Sequence, residues 1–141
     1  NLLPKFIEKD FSFTIGNNKI SGRFDRIDLE HDGAVIMDFK TSEVKTQKDA
    51  DKRVKENKQL ALYSLAYQHI FGVLPVAVKL YFLESGIIGR HELGQDDLEE
   101  VEEDILKVSN GIRQQEYPAR PEYKACTYCA YNQICPSAVI R

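Results

Sequence analysis

One short apolar run constrains the fold of this chain more than any other feature. Ala34-Val35-Ile36-Met37 is apolar at every position, follows the turn residues His31-Asp32-Gly33 and ends at the charged residue Asp38. A strand that is apolar on both of its faces has to be covered on both of them. The run therefore predicts a strand in the middle of a sheet.

Alternating segments predict the neighbouring strands. Apolar and polar residues alternate over Lys9–Ile15 and continue over Lys19–Leu29, with the turn residues Gly16-Asn17-Asn18 between them, which is the pattern of a hairpin. Alternation returns over Val76–Leu83, and a short strand is expected at His91–Leu93 after a turn at Gly86–Gly89. These segments predict a sheet of about five strands around the apolar run.

Helical spacing of apolar residues marks two segments. The first predicted helix covers Lys58–Ile70 and stops before Gly72, and the second begins near Asp96. Between the strands and the first helix, Thr41–Asn57 is a polar stretch rich in lysine. The order predicts an α/β fold with a mixed central β-sheet flanked by α-helices. A chain of 141 residues with 43% hydrophobic content buries one core, so we expect a single domain over residues 1–141 with a cysteine-containing tail at 120–141.

Composition excludes some function classes. The net charge of −3 gives no overall attraction to nucleic acid, and no apolar run approaches the ~18 residues that cross a bilayer. We therefore expect a cytoplasmic protein without a membrane partner. A local group of six cations could still follow a DNA backbone, although a solvated helix face is the ordinary interpretation. These are Lys45, Lys48, Lys52, Arg53, Lys55 and Lys58.

Two aspartates and a lysine lie where the central strands end. Asp38 and Lys40 are two positions apart, so they project from one face of a strand, and Phe39 between them is expected to point into the core. Asp25 on the preceding strand could lie close to Asp38, and two adjacent carboxylates repel unless they share a proton or a metal ion. The alternatives are a strand-end ion pair with an exposed acid, and Asp28 as a competing ligand on the opposite face.

The spacing of these residues resembles a nuclease signature. The sequence carries Asp25 within Gly22–Asp28, and thirteen positions later it reads Asp38-Phe39-Lys40-Thr41. This arrangement resembles the D…(D/E)-x-K signature of the PD-(D/E)xK nuclease superfamily. More narrowly, it resembles RecB-type nuclease domains, which have a restriction-endonuclease-like core. Gln59 to Tyr63 resembles the Q-x-x-x-Y motif that follows in RecB-type domains. This i to i+4 spacing puts both side chains on one helix face.

The resemblance implies a role for each of these residues. Asp25 and Asp38 would ligate Mg²⁺ or Mn²⁺, with the backbone carbonyl of Phe39 as a further ligand. Lys40 would orient the attacking water and steady the charge that develops on the scissile phosphate, with the Q-x-x-x-Y pair in the same site. A metal that polarises the phosphodiester and a fixed cation beside it agree with the chemistry of phosphate hydrolysis. Without the upstream motif, Tyr63 would be a core aromatic residue and Gln59 a solvated helix start.

Three cysteines near the end of the chain suggest a second metal centre. Cys126, Cys129 and Cys135 form C-x2-C-x5-C, and an odd, tightly bunched set favours a metal over a disulfide while leaving iron–sulfur and zinc open. The set resembles the cysteine tail of AddB-like iron–sulfur RecB-type nucleases, where a distant fourth cysteine completes a 4Fe-4S cluster. This chain has no fourth cysteine, so we expect the cluster only in a longer parent protein and free thiols in this chain.

Two further features of the family, a histidine and a glutamate, can be compared with this sequence. RecB-type domains usually contribute a metal-ligating histidine before the first strand, a position that His31, His69 and His91 do not occupy; each is expected to be a surface or packing residue. Glu8 precedes the first strand where the family often carries a glutamate, although an exposed acid is the usual explanation. With the opening Asn1, the missing histidine and the missing fourth cysteine lead us to expect a domain that is truncated at its N-terminus.

The resemblance implies a Mg²⁺- or Mn²⁺-dependent deoxyribonuclease, in particular an exonuclease of DNA repair or recombination that is fused to or partnered with a UvrD-like helicase. One alternative is a catalytically inactive module that holds DNA within a helicase–nuclease complex. Another is a zinc-binding interaction domain.

Overall fold

The computed structural model describes residues 3–139 of the chain. Its elements are β1 Phe6–Ile15, β2 Asn18–Glu30, β3 Gly33–Lys40, α1 Gln47–Lys55, α2 Lys58–Phe71, β4 Ala77–Phe82, β5 Ile87–His91, α3 Gln95–Arg113 and α4 Tyr123–Thr127. The chain divides into two compact units, Asn1–Lys107 and Val108–Arg141.

The first unit is built on a five-stranded sheet in the order β1-β2-β3-β4-β5. β3 and β4 are parallel, and every other neighbouring pair is antiparallel. The apolar run Ala34-Val35-Ile36-Met37 lies in β3, the central strand, and all four residues are buried. The predicted α/β fold with a mixed central sheet and flanking helices is confirmed.

The core lies on one face of the sheet. Alternate residues of β3 and β4 point into a hydrophobic cluster that also receives side chains from α1, α2 and α3. α2 begins after Asn57, whose side chain accepts a hydrogen bond from the backbone N–H of Leu60, and ends at Gly72, whose φ of 76° is left-handed. The predicted helix Lys58–Ile70 is therefore confirmed to within one residue.

The opposite face of β3 is covered differently. Val35 and Met37 are buried there between long polar side chains of the neighbouring strands, which neutralise one another in pairs. These pairs are Arg26 with Asp28 and Lys79 with Glu30. The aliphatic stems of such side chains can cover apolar surface while their charged ends stay paired.

α1 lies in the stretch that the sequence predicts to be polar and rich in lysine. Only Ala50 and Val54 of this helix are buried, and Thr46 caps its first turn with a side-chain oxygen. The helix packs directly on β5, because Gly89 has no side chain; a Cβ there would lie 2.5 Å from the backbone oxygen of Ala50. Two apolar residues are too few to produce a periodic signal, so only the tertiary contact identifies this helix.

β5 also differs from its prediction. The sequence placed a short strand at His91–Leu93 after a turn, whereas the strand is Ile87–His91 and its turn ends at Gly86, with φ of 69°. Gly89 is a strand residue opposite Leu80 rather than part of the turn. β1 similarly begins at Phe6, earlier than the predicted Lys9.

The second unit contains the end of α3, the short helix α4 and a series of turns. No side chain within residues 108–139 is buried. Among the helices of residues 3–139, none has both the length and the apolar character that a membrane span requires.

Candidate active site

Asp25 and Asp38 meet where the pairing of β2 and β3 ends. The last paired residues there are Arg26 and Met37, so Asp25 and Asp38 are the next positions along the two strands. The Oδ2 atom of Asp25 accepts a hydrogen bond of 3.3 Å from the backbone N–H of Phe39. The structure therefore brings together the two carboxylates that the sequence singled out.

Phe39 does not point into the core, which corrects the prediction. Its side chain is 37% exposed, and its ring lies 6.0 Å from that of Tyr81. Asp38, by contrast, is only 2% exposed and lies on the same side of β3 as the core residue Ile36. Alternation along a strand determines which residues share a face, but only the placement of the helices determines which face is covered.

Lys40 is paired with Asp38. Its Nζ atom lies 2.5 Å from Oδ2 of Asp38, but the approach does not have hydrogen-bond geometry, so this buried oxygen has no hydrogen-bond partner. Burial raises the pKa of Asp38 above its ordinary value; the neighbouring Lys40 lowers it, and Asp25 adds to the increase. The ionised carboxylate is thus only partly compensated by the protein.

The first turns of α2 extend this site. Lys40 Nζ donates a hydrogen bond of 2.9 Å to Oε1 of Gln59, whose Nε2 donates one of 2.9 Å to the hydroxyl oxygen of Tyr63. The Tyr63 ring also packs edge-on against Phe11 and Phe24, with centroids 5.7 and 5.5 Å away. Tyr63 is therefore both a core aromatic residue and a polar member of the site.

The state of the Tyr63 hydroxyl follows from its surroundings. Burial raises the pKa of Tyr63, the Gln59 hydrogen bond opposes this, and the charges of Asp25 and Asp38 raise the pKa further. The hydroxyl is protonated at neutral pH. Its oxygen accepts from Gln59, which leaves its own hydrogen available to an acceptor.

The two carboxylates fit a small divalent cation. Mg²⁺ is usually held by one or two carboxylates and completes its shell with water and phosphate oxygens. A buried carboxylate oxygen without a hydrogen-bond partner, next to a second carboxylate, offers such a ligand. Within residues 3–139 there is no group of three or more His, Cys, Asp and Glu side chains that could hold a metal ion. The protein would therefore supply only part of the shell.

Asp28, the competing ligand, has a different partner. It is 6% exposed, and both of its carboxylate oxygens accept hydrogen bonds, of 2.9 and 3.0 Å, from Nε of Arg26. Both residues lie on the face of β2 opposite Asp25. Glu8 is exposed and has a left-handed φ of 47°. It lies in β1 between Ile7, which pairs with Arg26, and Lys9, which pairs with Phe24, but it is not itself paired with β2.

The histidines are not part of the site. His31 lies in the turn before β3, 3.1 Å from Asp32, and His69 stacks on Phe13 with ring centroids 4.7 Å apart. His91 pairs with Val78 at the edge of the sheet. The expectation that they are surface or packing residues agrees with these positions.

The predicted group of cations is divided among several environments. Lys58 forms ion pairs with Asp104 and Glu100, and Lys52 lies 3.8 Å from Glu56. Arg53 instead contacts Ser42 and the Phe82 ring. The six residues therefore do not form one continuous unpaired surface.

The cysteines of the second unit are free thiols. Cys129 is exposed, whereas Cys126 and Cys135 are half-buried. Backbone hydrogen bonds join Cys129 to Cys126 within the turns after α4, but the three thiols are not gathered into a metal-holding group in residues 3–139. This arrangement gives no support to a thiolate cluster, so the 4Fe-4S cluster stays a prediction.

Comparisons with known proteins agree with this geometry. A family model described as the PD-(D/E)XK nuclease superfamily matches residues 4–136. The crystal structure of SSO0001 is similar in fold, with a TM-score of 0.57 and 17% sequence identity; the match covers 95% of this chain and 61% of that one. The chain thus spans about three fifths of that protein's length. No curated protein matches the sequence significantly.

Proposed function

Because the chain belongs to the PD-(D/E)XK nuclease superfamily, we propose that it is a Mg²⁺- or Mn²⁺-dependent deoxyribonuclease with Asp25, Asp38 and Lys40 at its active site. The observation that carries this proposal is the pair of adjacent carboxylates at the end of the central strand. One of their oxygens is buried without a hydrogen-bond partner and lies 2.5 Å from a lysine. Lys40 compensates this buried charge only in part, because burial still raises the pKa of Asp38, so a bound cation would stabilise the carboxylate further.

Each residue has a distinct role in the proposal. Asp25 and Asp38 hold the cation, with the Phe39 carbonyl as a further ligand; the bound cation would polarise the scissile phosphate and acidify water. Lys40 donates hydrogen bonds to a phosphate oxygen and stabilises the negative charge that develops there. Gln59 limits the rotation of the Lys40 ammonium through its 2.9 Å hydrogen bond.

Cleavage of linear single- and double-stranded DNA with Mn²⁺ tests this function. We expect Asp38→Ala and Lys40→Ala each to lower the rate at least ~100-fold, because each removes charge from the reacting centre. Asp32→Asn is a suitable control, since Asp32 is an exposed acid in the turn before β3. The proposal fails if the wild-type chain leaves both DNA forms intact, or if it cleaves them and Asp38→Ala cleaves equally well.

We also propose that the nuclease acts as an exonuclease in DNA repair or recombination, attached to or partnered with a UvrD-like helicase. The support is the likeness of the D…D-x-K and Q-x-x-x-Y motifs to RecB-type domains. Digestion of a linear plasmid, compared with its relaxed covalently closed form, tests the exonuclease part. Equal rates on both forms would contradict it.

The cysteine tail is the remaining part of the proposal. With no buried side chain in residues 108–139, a metal bound by Cys126, Cys129 and Cys135 would supply cross-links that a hydrophobic core does not. Metal analysis of the longer parent protein after anaerobic purification tests this. Iron with sulfide supports the cluster, zinc alone supports a zinc-binding tail, and neither metal contradicts both.

A further inference from the structure

Arg53 is an exposed cation that is nevertheless held in place. The centre of its guanidinium lies 5.7 Å from the centroid of the Phe82 ring, and Nη1 donates a hydrogen bond of 3.3 Å to the hydroxyl of Ser42. Within the part of the chain that the structure describes, no carboxylate lies within ion-pair distance of it. An arginine held over the face of a ring still has N–H groups free to donate hydrogen bonds.

Its two contacts place Arg53 near the candidate active site. Phe82 is the residue opposite Lys40 in the parallel pair of β3 and β4, and Ser42 follows Lys40 by two positions. The guanidinium therefore lies at the carboxyl ends of the two parallel strands, where Asp38 also lies. Ligands of α/β proteins commonly bind at this edge of a sheet.

The surrounding structure fixes the helix that carries Arg53. Gln47 Nε2 donates to the backbone oxygen of Ile88 at 2.8 Å, and Asp51 accepts a 2.9 Å hydrogen bond from the backbone N–H of Arg90. The loop before the helix is held by Val44, which is only 3% exposed. Arg53 and Ser42 thus belong to a rigid part of the fold.

Other cations nearby are less suited to bind an anion. A groove of about 430 Å³ between the loop after β3 and α1 contains equal numbers of basic and acidic residues. It is lined by Glu43, Val44, Lys45, Asp49, Lys52, Arg53 and Glu56. Because its charges balance, the groove as a whole is not a general anion site, and among its cations Arg53 is the one held by a ring and a hydroxyl near the active site.

We propose that Arg53 binds a second backbone phosphate of the nucleic acid, next to the scissile one, and that Ser42 is a positioning residue for its guanidinium. This inference rests on the proposed nuclease function. A planar guanidinium can donate two parallel hydrogen bonds to two phosphate oxygens, which fixes the direction of the strand as well as attracting it. The contact would thus set the register of the strand that enters the site.

Oligonucleotide binding measured by fluorescence anisotropy in EDTA, where metal-dependent cleavage cannot proceed, tests the contact. Lys48→Gln is the matched control for Arg53→Gln, because Lys48 is an exposed cation on the same helix with no ion pair among residues 3–139. We expect Arg53→Gln to weaken binding to duplex DNA about tenfold and to reduce the slope of log affinity against log salt by about 0.9. Lys48→Gln should weaken binding less than about threefold. Arg53→Lys, which keeps the charge without the planar fork, should lie between them.

Methylphosphonate substitution identifies the phosphate. Replacing the phosphates one at a time should weaken wild-type binding strongly at one position beside the cleavage site, and Arg53→Gln should be insensitive at that position. The inference is overturned, with the nuclease proposal intact, if the wild-type protein cleaves DNA while Arg53→Gln and Lys48→Gln have the same affinity and salt slope. If the wild-type chain neither binds nor cleaves DNA, both proposals fall. Thermal unfolding of each variant checks that it is folded.

Discussion

Asp28 and Asp38 allow one prediction to be tested with two identical substitutions. Both aspartates are buried in the same sheet, but Asp28 has a two-oxygen hydrogen-bonded partner and Asp38 keeps an oxygen without one. We expect Asp38→Asn to stabilise the metal-free protein at pH 7 and Asp28→Asn to destabilise it. The chemical change is the same, so the opposite signs come from the surroundings: burial of Asp38 outweighs its ion pair with Lys40, whereas Asp28 accepts two hydrogen bonds from Arg26.

The direction of the Asp38 effect follows from the pKa of its carboxyl group. Its pKa is raised in the folded state, chiefly by burial, so the folded protein binds this proton more tightly than the unfolded chain does. The resulting stability is present below the unfolded pKa, near 4, and is lost as the pH rises through the folded pKa. At pH 7 the ionised carboxylate is therefore less favourable in the folded protein than in the unfolded chain, so we expect the neutral side chain of Asp38→Asn to raise the unfolding free energy there. The difference should vanish toward pH 4.

Asp28→Asn removes the negative charge from the hydrogen bonds that Asp28 accepts from Arg26. Arg26 would retain its charge with a neutral amide as partner, and its side chain is 31% exposed, so water compensates part of the loss. We expect Asp28→Asn to lower the unfolding free energy by about 1–2 kcal/mol.

Urea unfolding of the two variants and the wild-type chain in EDTA, at pH 7 and near pH 4, measures these differences. The reasoning is refuted if Asp38→Asn is less stable than the wild-type protein at pH 7, or if both substitutions change stability in the same direction. An effect of Asp38→Asn that persists unchanged near pH 4 would show that packing, and not the charge, is responsible.

Three further predictions concern the cation, the helix packing and the site hydroxyl. Mn²⁺ at a hundred times its dissociation constant should stabilise the wild-type protein by about 2.7 kcal/mol but leave Asp38→Asn nearly unchanged, as measured by urea unfolding with and without Mn²⁺. Gly89→Ala should destabilise the protein by about 1–3 kcal/mol, because its Cβ would lie 2.5 Å from the Ala50 oxygen; unchanged thermal stability would contradict the close packing of α1 on β5. Tyr63→Phe keeps the ring contacts and removes the acceptor of Gln59, so stability should fall by only about 1 kcal/mol. DNA cleavage with Mn²⁺ should slow about tenfold in this variant, and an unchanged rate would argue against a role for the hydroxyl.

Local pattern was sufficient for much of the fold. The apolar run of β3 required burial on both faces, and such a strand has to be central. The hairpin of β1 and β2 and the helix α2 follow from alternation and helical spacing between marked turns. The same periodicity placed Asp38 and Lys40 on one face and Asp28 on the face opposite Asp25, because these relations depend only on strand geometry.

The tertiary structure determined which face of β3 is buried and which residues each charged side chain contacts, neither of which follows from periodicity. The helices cover the face of β3 that carries Asp38, which buries this carboxylate and leaves Phe39 on the other side, the reverse of the sequence-based prediction. α1 owes its position to the missing side chain of Gly89, a residue more than thirty positions away. The basic residues of α1 differ in their contacts for the same reason, because only the tertiary structure brings Arg53 to Phe82 and Ser42. A sequence determines which side chains share a face, but the partner of each charge and the solvent exposure of each face are set by residues that are distant along the chain.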